Sequence, residues 1–157
     1  MHDATSRSAG DRALAAEVWR SLFHVFVSTR WQRDAVLARL ELTPNDAKAL
    51  NTLDAVEGKP MRALAQAWGT DASAATWVVD RLERKGLAER RAQPGDRRVK
   101  LVVLTPLGVQ TRDEILRAFH EPPPELLALS RAELESLGEG LGKLAAAIPA
   151  HPVADEG

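Results

Sequence analysis

The segment 61–104 constrains the fold most, because glycine and proline divide it into short elements of predictable type. Residues 61–68 have the apolar spacing of a short helix that Gly69 ends. A longer helical pattern then runs to about Lys85 and stops at Gly86, the residue type that favours the left-handed conformation after a helix. The pattern therefore predicts two consecutive helices joined by a tight turn.

A β-hairpin is predicted directly after the second helix. Leu87–Arg91 and Val99–Leu104 are β-prone runs on either side of Gln93-Pro94-Gly95-Asp96, which is typical of a turn. Thr70 or Asp71 can cap the second helix. Helix, glycine turn, longer helix and hairpin is the layout of a winged helix-turn-helix. The apolar positions that would lock the two helices together are Leu64, Ala65, Trp68, Ala75, Val78 and Leu82.

Helical patterns flank this lobe. Residues 11–40 predict one long helix, or two with a bend, whose apolar stripe is too broad for one buried face. Thr43-Pro44 starts a helix to about Leu53, and Gly58-Lys59-Pro60 predicts a turn. Thr105-Pro106 starts another helix, and a capping-box pattern at Ser130-Arg-Ala-Glu133 opens a C-terminal one. Residues 1–10 and 150–157 are predicted to be disordered tails.

Several protein classes are disfavoured by composition. The 157 residues include no cysteine, which excludes disulfides and thiolate chemistry, and no cofactor is expected. No apolar run reaches the roughly 18–20 residues of a membrane helix, and no signal-peptide pattern is present, so a cytoplasmic protein is expected. The four histidines have no metal-site spacing, and no catalytic motif occurs, so neither a metal site nor an enzyme is expected.

Charge is segregated along a chain whose net charge is only −1. Residues 81–100 carry eight basic and three acidic side chains, a local charge of +5, whereas residues 105–157 carry four basic and nine acidic ones, a charge of −5. A basic block at the second helix and hairpin indicates a surface for a polyanion. The alternative is an ordinary solvated charge run.

The predicted second helix has an outward face suited to a DNA groove. Small side chains near its start, followed by Trp77, are placed to reach base edges, and basic side chains further along are placed to contact phosphates. Two threonines at helix starts are further phosphate candidates, because free N–H groups there favour anions. The predicted DNA-binding residues from these arguments are Thr43, Thr70, Ser73, Ala74, Thr76, Trp77, Arg84 and Lys85.

This region resembles the MarR family of bacterial transcription regulators. Asp96-Arg97-Arg98 followed by Leu104-Thr105 and Gly108 matches the family's wing signature D-x-R-x-x-x-x-x-L-T-x-x-G, and residues 79–87 match the end of its recognition helix. The resemblance implies a mainly α-helical subunit over residues 11–149. Its winged helix-turn-helix lobe would span 43–104, its small β-hairpin would form a wing, and residues 11–40 and 106–149 would form dimerisation helices.

The resemblance also implies roles for wing residues. Arg97 would enter the minor groove. Arg98 would belong to the DNA-binding residues as well and would tie the wing to Asp71, with help from Arg81; Asp96 belongs to the same structural set. Trp77 departs from the family, where polar or basic residues are commoner at that position. Its indole either packs on a base or packs inside the domain.

An effector pocket is a further expectation from the resemblance. Aromatic and neighbouring residues of the terminal helices and the lobe could line such a pocket for a small aromatic or lipophilic ligand. The alternative is that these residues, including the histidine, are ordinary core residues. These residues are Trp19, Phe23, His24, Trp31, Met61 and Trp68.

The function that follows is sequence-specific binding of double-stranded DNA by a homodimer on a pseudo-palindromic operator, as a repressor released by such an effector. The alternative is a winged-helix module for protein–protein interaction, because the fold does not enforce DNA binding.

Overall fold

The computed structural model describes residues 9–93 and 95–149. Its N-terminal part contains the helices α1 (Ala9–Ser28), α2 (Arg30–Arg39) and α3 (Pro44–Thr52). The central part contains the strand β1 (Lys59–Pro60), the helices α4 (Met61–Trp68) and α5 (Ala72–Arg84), and the strands β2 (Ala88–Gln93) and β3 (Asp96–Leu104). The C-terminal part contains α6 (Pro106–His120), a 3₁₀ helix (Pro124–Ala128) and α7 (Arg131–Ala147). The predicted winged helix-turn-helix is confirmed.

The strands form one antiparallel sheet in the order β1-β3-β2. The predicted hairpin pairs Ala88 with Leu104 and Arg90 with Val102. The prediction of a simple turn at residues 58–60 is wrong, because Lys59 pairs with Val102 and Pro60 with Leu101. Proline is tolerated there because β1 is an edge strand, where the missing N–H costs no ladder hydrogen bond.

Local capping explains where the central helices begin and end. Gly69 has φ 64° and ψ 42°, the left-handed conformation that closes α4. The carboxylate of Asp71 accepts a hydrogen bond from the Ala74 N–H at 2.8 Å, so Asp71, and not Thr70, caps α5. Gly86 ends the same helix with φ 69°. The turn geometry that the sequence predicts is therefore present at both ends of α5.

The hydrophobic core lies inside the lobe formed by α3, α4, α5 and the sheet. Its fully buried leucine and valine side chains come from each of these elements. They are Leu50, Leu64, Val79, Leu82, Val102 and Leu104. Val36 and Leu37 of α2 and Ile115 of α6 extend this core toward the flanking helices. The lobe is thus packed as a unit, with α5 anchored along its inner side.

The terminal helices behave differently, because α7 is exposed along its whole length and most of α1 is exposed as well. The predicted bend after α1 is confirmed at Thr29. Ala9 and Gly10 already belong to α1, so the predicted tail does not extend to residue 10. The tails predicted for residues 1–8 and 150–157 lie outside the described residues. Among the described helices, none combines the length and apolarity needed to span a bilayer.

Candidate nucleic-acid interface

The outward side of α5 forms an open groove. Its lining consists of Ala72, Ser73, Thr76, Trp77 and Asp80, and its volume is about 390 Å³. Ala74, predicted with them, is only half-buried and lies toward α3 instead. The structure therefore brings three of the predicted base-contacting residues, Ser73, Thr76 and Trp77, onto one accessible surface.

Thr76 has a restricted hydrogen-bonding role on this surface. Its hydroxyl donates to the Ala72 carbonyl oxygen one turn earlier, at 2.7 Å. A hydroxyl has one donor hydrogen, so Thr76 can only accept further hydrogen bonds in this rotamer. In a major groove, the donors that such an acceptor can meet are the amino groups of adenine and cytosine.

Trp77 is 57% exposed, so the interpretation that its indole packs inside the lobe is wrong. One face of its ring stacks under the guanidinium of Arg81, with the Arg81 Cζ 4.2 Å from the ring centroid. This is a cation–π contact between residues one helical turn apart. The indole is consequently held in place from one side and accessible from the other.

Arg81 is itself anchored to the interior. Its Nε donates to Oδ1 of Asp46 at 2.8 Å, its Nη2 contacts the same oxygen, and Asp46 is completely buried. Oδ2 of Asp46 accepts from both the N–H and the hydroxyl of Thr43. Charge-assisted bonds of this type fix geometry well. Sequence reasoning missed Asp46 and assigned Arg81 to the wing, whereas these contacts join α5 to the start of α3.

Both threonines that were predicted to contact phosphates already have hydrogen-bond partners within the lobe. The Thr43 hydroxyl donates to Asp46 and accepts from Arg81 Nη2 at 2.9 Å and from the Asp46 N–H. Its capacity is therefore used, and a phosphate could bind only by displacing one of these partners. The Thr70 N–H donates to the Ala65 carbonyl oxygen, so it is not a free helix-start amide.

The basic block is partly neutralised by neighbouring carboxylates. Lys85 pairs with Glu41 and Arg91 with Glu89, while Arg90 bridges Asp80 and Glu83. The Arg90–Asp80 pair offsets the one acidic group in the groove on α5. Within the part of the chain that the structure describes, Arg84 and Lys100 are exposed and have no carboxylate partner. Both side chains can therefore reach phosphates.

The tip of the wing is only partly described. Pro94 and the side chains of Asp96 and Arg97 lie outside the described part of the structure. Arg98 is exposed, and Asp71 uses its carboxylate to cap α5. The roles implied for Asp96, Arg97 and Arg98 stay predictions.

A separate cavity of about 590 Å³ lies between the lobe and the flanking helices. Apolar side chains of α1, α2 and α6 form much of its wall. The basic side chains in the wall are Arg30, Arg33, Lys48 and Arg112, and the acidic one is Asp34. Arg30 is paired with Asp34 and Arg112 with Asp113, so Arg33 and Lys48 carry the excess positive charge. Such charge beside apolar carbon suits a small organic anion. None of the six residues predicted for an effector pocket lines this cavity.

Those six residues are dispersed in the structure. Trp19 lies in a groove between α1 and α7, and Trp31 lies in another between α2 and α6. Phe23 and His24 are exposed on α1, Met61 is half-buried against the core, and Trp68 belongs to the core. The tryptophans that are close in the sequence thus do not form one aromatic wall in the chain. No group of three or more potential metal ligands occurs in residues 9–93 and 95–149.

Comparisons with known proteins agree with the fold. Residues 40–99 match the sequence model described as "MarR family". No curated protein sequence matches the chain.

Solved structures match over nearly their whole length. The YusO protein from Bacillus subtilis is 26% identical, with 90% of this chain and 100% of that chain covered and a TM-score of 0.72. A mutant of MepR from S. aureus, solved bound to an oligodeoxyribonucleotide, is 24% identical, with 84% and 96% covered and a TM-score of 0.67. The multiple antibiotic-resistance repressor from Listeria monocytogenes is 19% identical, with 87% and 95% covered and a TM-score of 0.75.

Proposed function

We propose that this chain, whose residues 40–99 match the MarR family model, is a DNA-binding transcription regulator of that family, which binds a pseudo-palindromic operator as a homodimer and represses transcription from it. The observation that carries the proposal is the open groove on α5, where Ser73, Thr76 and Trp77 point away from the core. An α-helix fits the major groove of duplex DNA, and exposed side chains on it can reach base edges.

The structure of a MepR mutant bound to an oligodeoxyribonucleotide supports DNA as the partner, since that protein shares the fold over 84% of this chain. We assign Arg97 at the wing to the minor groove and Arg84 to the phosphate backbone. Arg84 suits this role because its Nε bonds only a backbone carbonyl, that of Asp80, and its guanidinium is exposed. A guanidinium is favoured by the negative potential of a narrow minor groove.

Dimerisation is supported by the apolar side chains that one subunit leaves in solvent. Trp19 and Phe23 on α1 are 63% and 60% exposed, and α7 carries a leucine stripe that is about 40% exposed. Contiguous apolar surface of this kind marks protein–protein contact. A two-fold dimer would place its recognition helices about one DNA turn apart, roughly 34–36 Å, and repression would follow from occupying the promoter.

The test begins with selection of a binding site from random duplex DNA, followed by affinity measurement at increasing salt. Several phosphate contacts should make affinity fall steeply, because each neutralised phosphate releases counterions. A scrambled duplex of the same length should bind more weakly at every salt concentration. Failure to select any sequence would refute the proposal, and salt-independent capture of a protein partner would favour the protein-interaction alternative.

We also propose that a small aromatic anion regulates DNA binding from the cavity between lobe and flanking helices. The cavity is favoured by its volume of about 590 Å³ and by the surplus of arginine and lysine side chains at its apolar wall. A ligand there contacts both α3, which carries Lys48, and α6, which carries Arg112. The ligand can change DNA affinity only if it binds more tightly to one arrangement of α3 and α6 than to another.

Binding of 1-naphthoate, followed by thermal shift and by DNA release, would test this regulation. Arg112→Met should weaken naphthoate binding, because it removes a cation from the cavity wall. Arg117→Met is a matched control on the same helix, since Arg117 lies in a different groove. Equal loss in both variants, or no binding by the wild type, would contradict this assignment.

A further inference from the structure

We propose that Trp77 reads the 5-methyl group of thymine, so that the notch beside its indole is a specificity determinant for the operator. This inference rests on the proposed DNA binding and adds to it a chemical group that is recognised. Its observations are the fixed indole, the small residues beside it and the groove that they enclose.

The first step concerns rigidity. A free tryptophan side chain on a helix surface has several rotamers, and ordering it on binding costs free energy. The indole of Trp77 is stacked on Arg81, which is bonded to the completely buried Asp46. The chain of contacts from the core to the ring preorganises the indole before DNA arrives.

The second step concerns shape. Ser73 lies one turn before Trp77 on the helix, and Arg81 one turn after it, so the three side chains follow one line along α5. The arginine covers the ring on one side. The small side chains of Ser73 and Ala72 leave space on the other side, where the structure has its open groove.

The third step concerns chemistry. Apart from Asp80, whose charge is offset by Arg90, the groove is lined by the indole, a methyl-bearing threonine, an alanine and a serine. Among the base edges of the major groove, the 5-methyl of thymine is the apolar group. An indole cannot make a bidentate base contact, whereas it can bury a methyl. Contact with this methyl is therefore the interaction that the notch fits best.

The experiment replaces thymine by deoxyuridine, which removes the methyl and leaves base pairing intact. Each operator variant carries deoxyuridine at one thymine position and at its symmetric equivalent in the other half-site. The affinity of each variant is measured by fluorescence anisotropy. Burial of one methyl per half-site predicts about fourfold weaker binding for each, from ~0.8 kcal/mol per apolar carbon group. One symmetric pair of positions should therefore show about a tenfold to twentyfold loss with the wild-type protein.

Protein variants are then tested against the thymine and deoxyuridine operators. Trp77→Ala should bind the thymine and deoxyuridine operators equally, and Trp77→Phe should keep part of the difference, because phenylalanine retains an apolar ring. Arg97→Ala is the control: it should weaken binding to both operators and keep their ratio. Since Trp77 is exposed, its variants are expected to fold, which thermal melting checks.

The outcomes separate the two proposals. Equal affinity of wild-type protein for every deoxyuridine operator, with sequence-specific binding retained, would overturn the role of Trp77 and leave DNA binding standing. An unchanged deoxyuridine effect in Trp77→Ala would overturn it as well. Absence of any DNA binding by the wild type would refute both the proposed function and this inference.

Discussion

Arg81 on α5 binds the carboxylate of Asp46 on α3, and this pair connects the groove on α5 to the core. The Asp46 side chain has no solvent exposure, and the Arg81 side chain is 17% exposed. A buried carboxylate is stable only with partners that replace water, and Asp46 has Arg81 and Thr43. The ion pair therefore adds a fixed polar contact between α5 and α3 to the apolar packing of the lobe.

Asp46→Ala should lower the free energy of unfolding by about 3–5 kcal/mol, because it leaves the largely buried Arg81 without its partner and removes the capping box of α3. Urea denaturation measures the change. Asp34→Ala is the matched control, since Asp34 pairs with Arg30 in solvent and its loss should cost less than about 1 kcal/mol. Similar effects of the two substitutions would contradict the importance of the buried pair.

The Asp46–Arg81 pair also shows how far the sequence alone can lead. Thr43-Pro44 predicts the start of α3, and a threonine followed three residues later by an acidic residue is a capping pattern. Nothing local indicates that Arg81, 35 residues later, binds the same carboxylate. Helices, turns and the hairpin depend on short-range patterns and were predictable. Side-chain networks and the position of the cavity depend on tertiary packing and were not.

The last residue of the wing signature, Gly108, has a steric reason to be glycine. A Cβ at this position would lie 1.9 Å from the carbonyl oxygen of Leu87, which also accepts the Thr105 N–H. Gly108→Ala should therefore push α6 away from the base of the wing and destabilise the protein by about 1–3 kcal/mol, as overpacking does. Thermal or urea unfolding measures this loss.

Gly142→Ala provides the opposite control. Gly142 lies within α7, away from its leucine stripe, and a Cβ there would meet nothing within 4 Å. Alanine is favoured over glycine in a helix interior by about 0.5–1 kcal/mol, so this variant should be stabilised. A Gly108→Ala variant that gained stability as Gly142→Ala does would show that the alanine side chain is not crowded at Gly108.

Asp54 should make the connection between α3 and the sheet sensitive to acid. Hydrogen bonds from the backbone N–H groups of Glu57 and Val56 hold the pKa of Asp54 below its ordinary value of 3.8. A lowered folded-state pKa stabilises the fold above the unfolded pKa, and this contribution is lost as pH falls through the folded value.

Thermal melts of wild-type protein and Asp54→Asn between pH 6 and pH 2 test the effect. The two proteins should differ most above pH 4 and converge at the acid end, because protonation of Asp54 weakens the same hydrogen bonds. A direct titration of Asp54 by NMR should give a pKa below 3.8. A constant difference in melting temperature across this range would exclude the carboxylate charge as the source.

Arg97 and Ser73 should affect DNA binding in different ways. Arg97→Ala, at the wing, should lower affinity for all operator variants by a similar factor, whereas Ser73→Ala should change which base is preferred near the groove on α5. A lost base contact typically costs about 1–3 kcal/mol at one position. Affinities for a set of single-base operator variants separate the two patterns, and a uniform loss in Ser73→Ala would place that residue outside base recognition.

The terminal helices provide the last prediction, because α1 exposes several large apolar side chains, as a protein–protein interface does. Phe23 is 60% exposed in a helix with several other exposed apolar residues, and Val56 is 84% exposed in a loop of the lobe. If α1 forms the dimer interface, Phe23→Glu must bury a charge there and should weaken dimerisation by at least about a hundredfold. Val56→Glu adds the same charge outside that surface and should leave the dimer intact. Sedimentation at micromolar concentration distinguishes these outcomes. A wild-type protein that sediments as a monomer would contradict the proposal that a homodimer binds both half-sites of the operator.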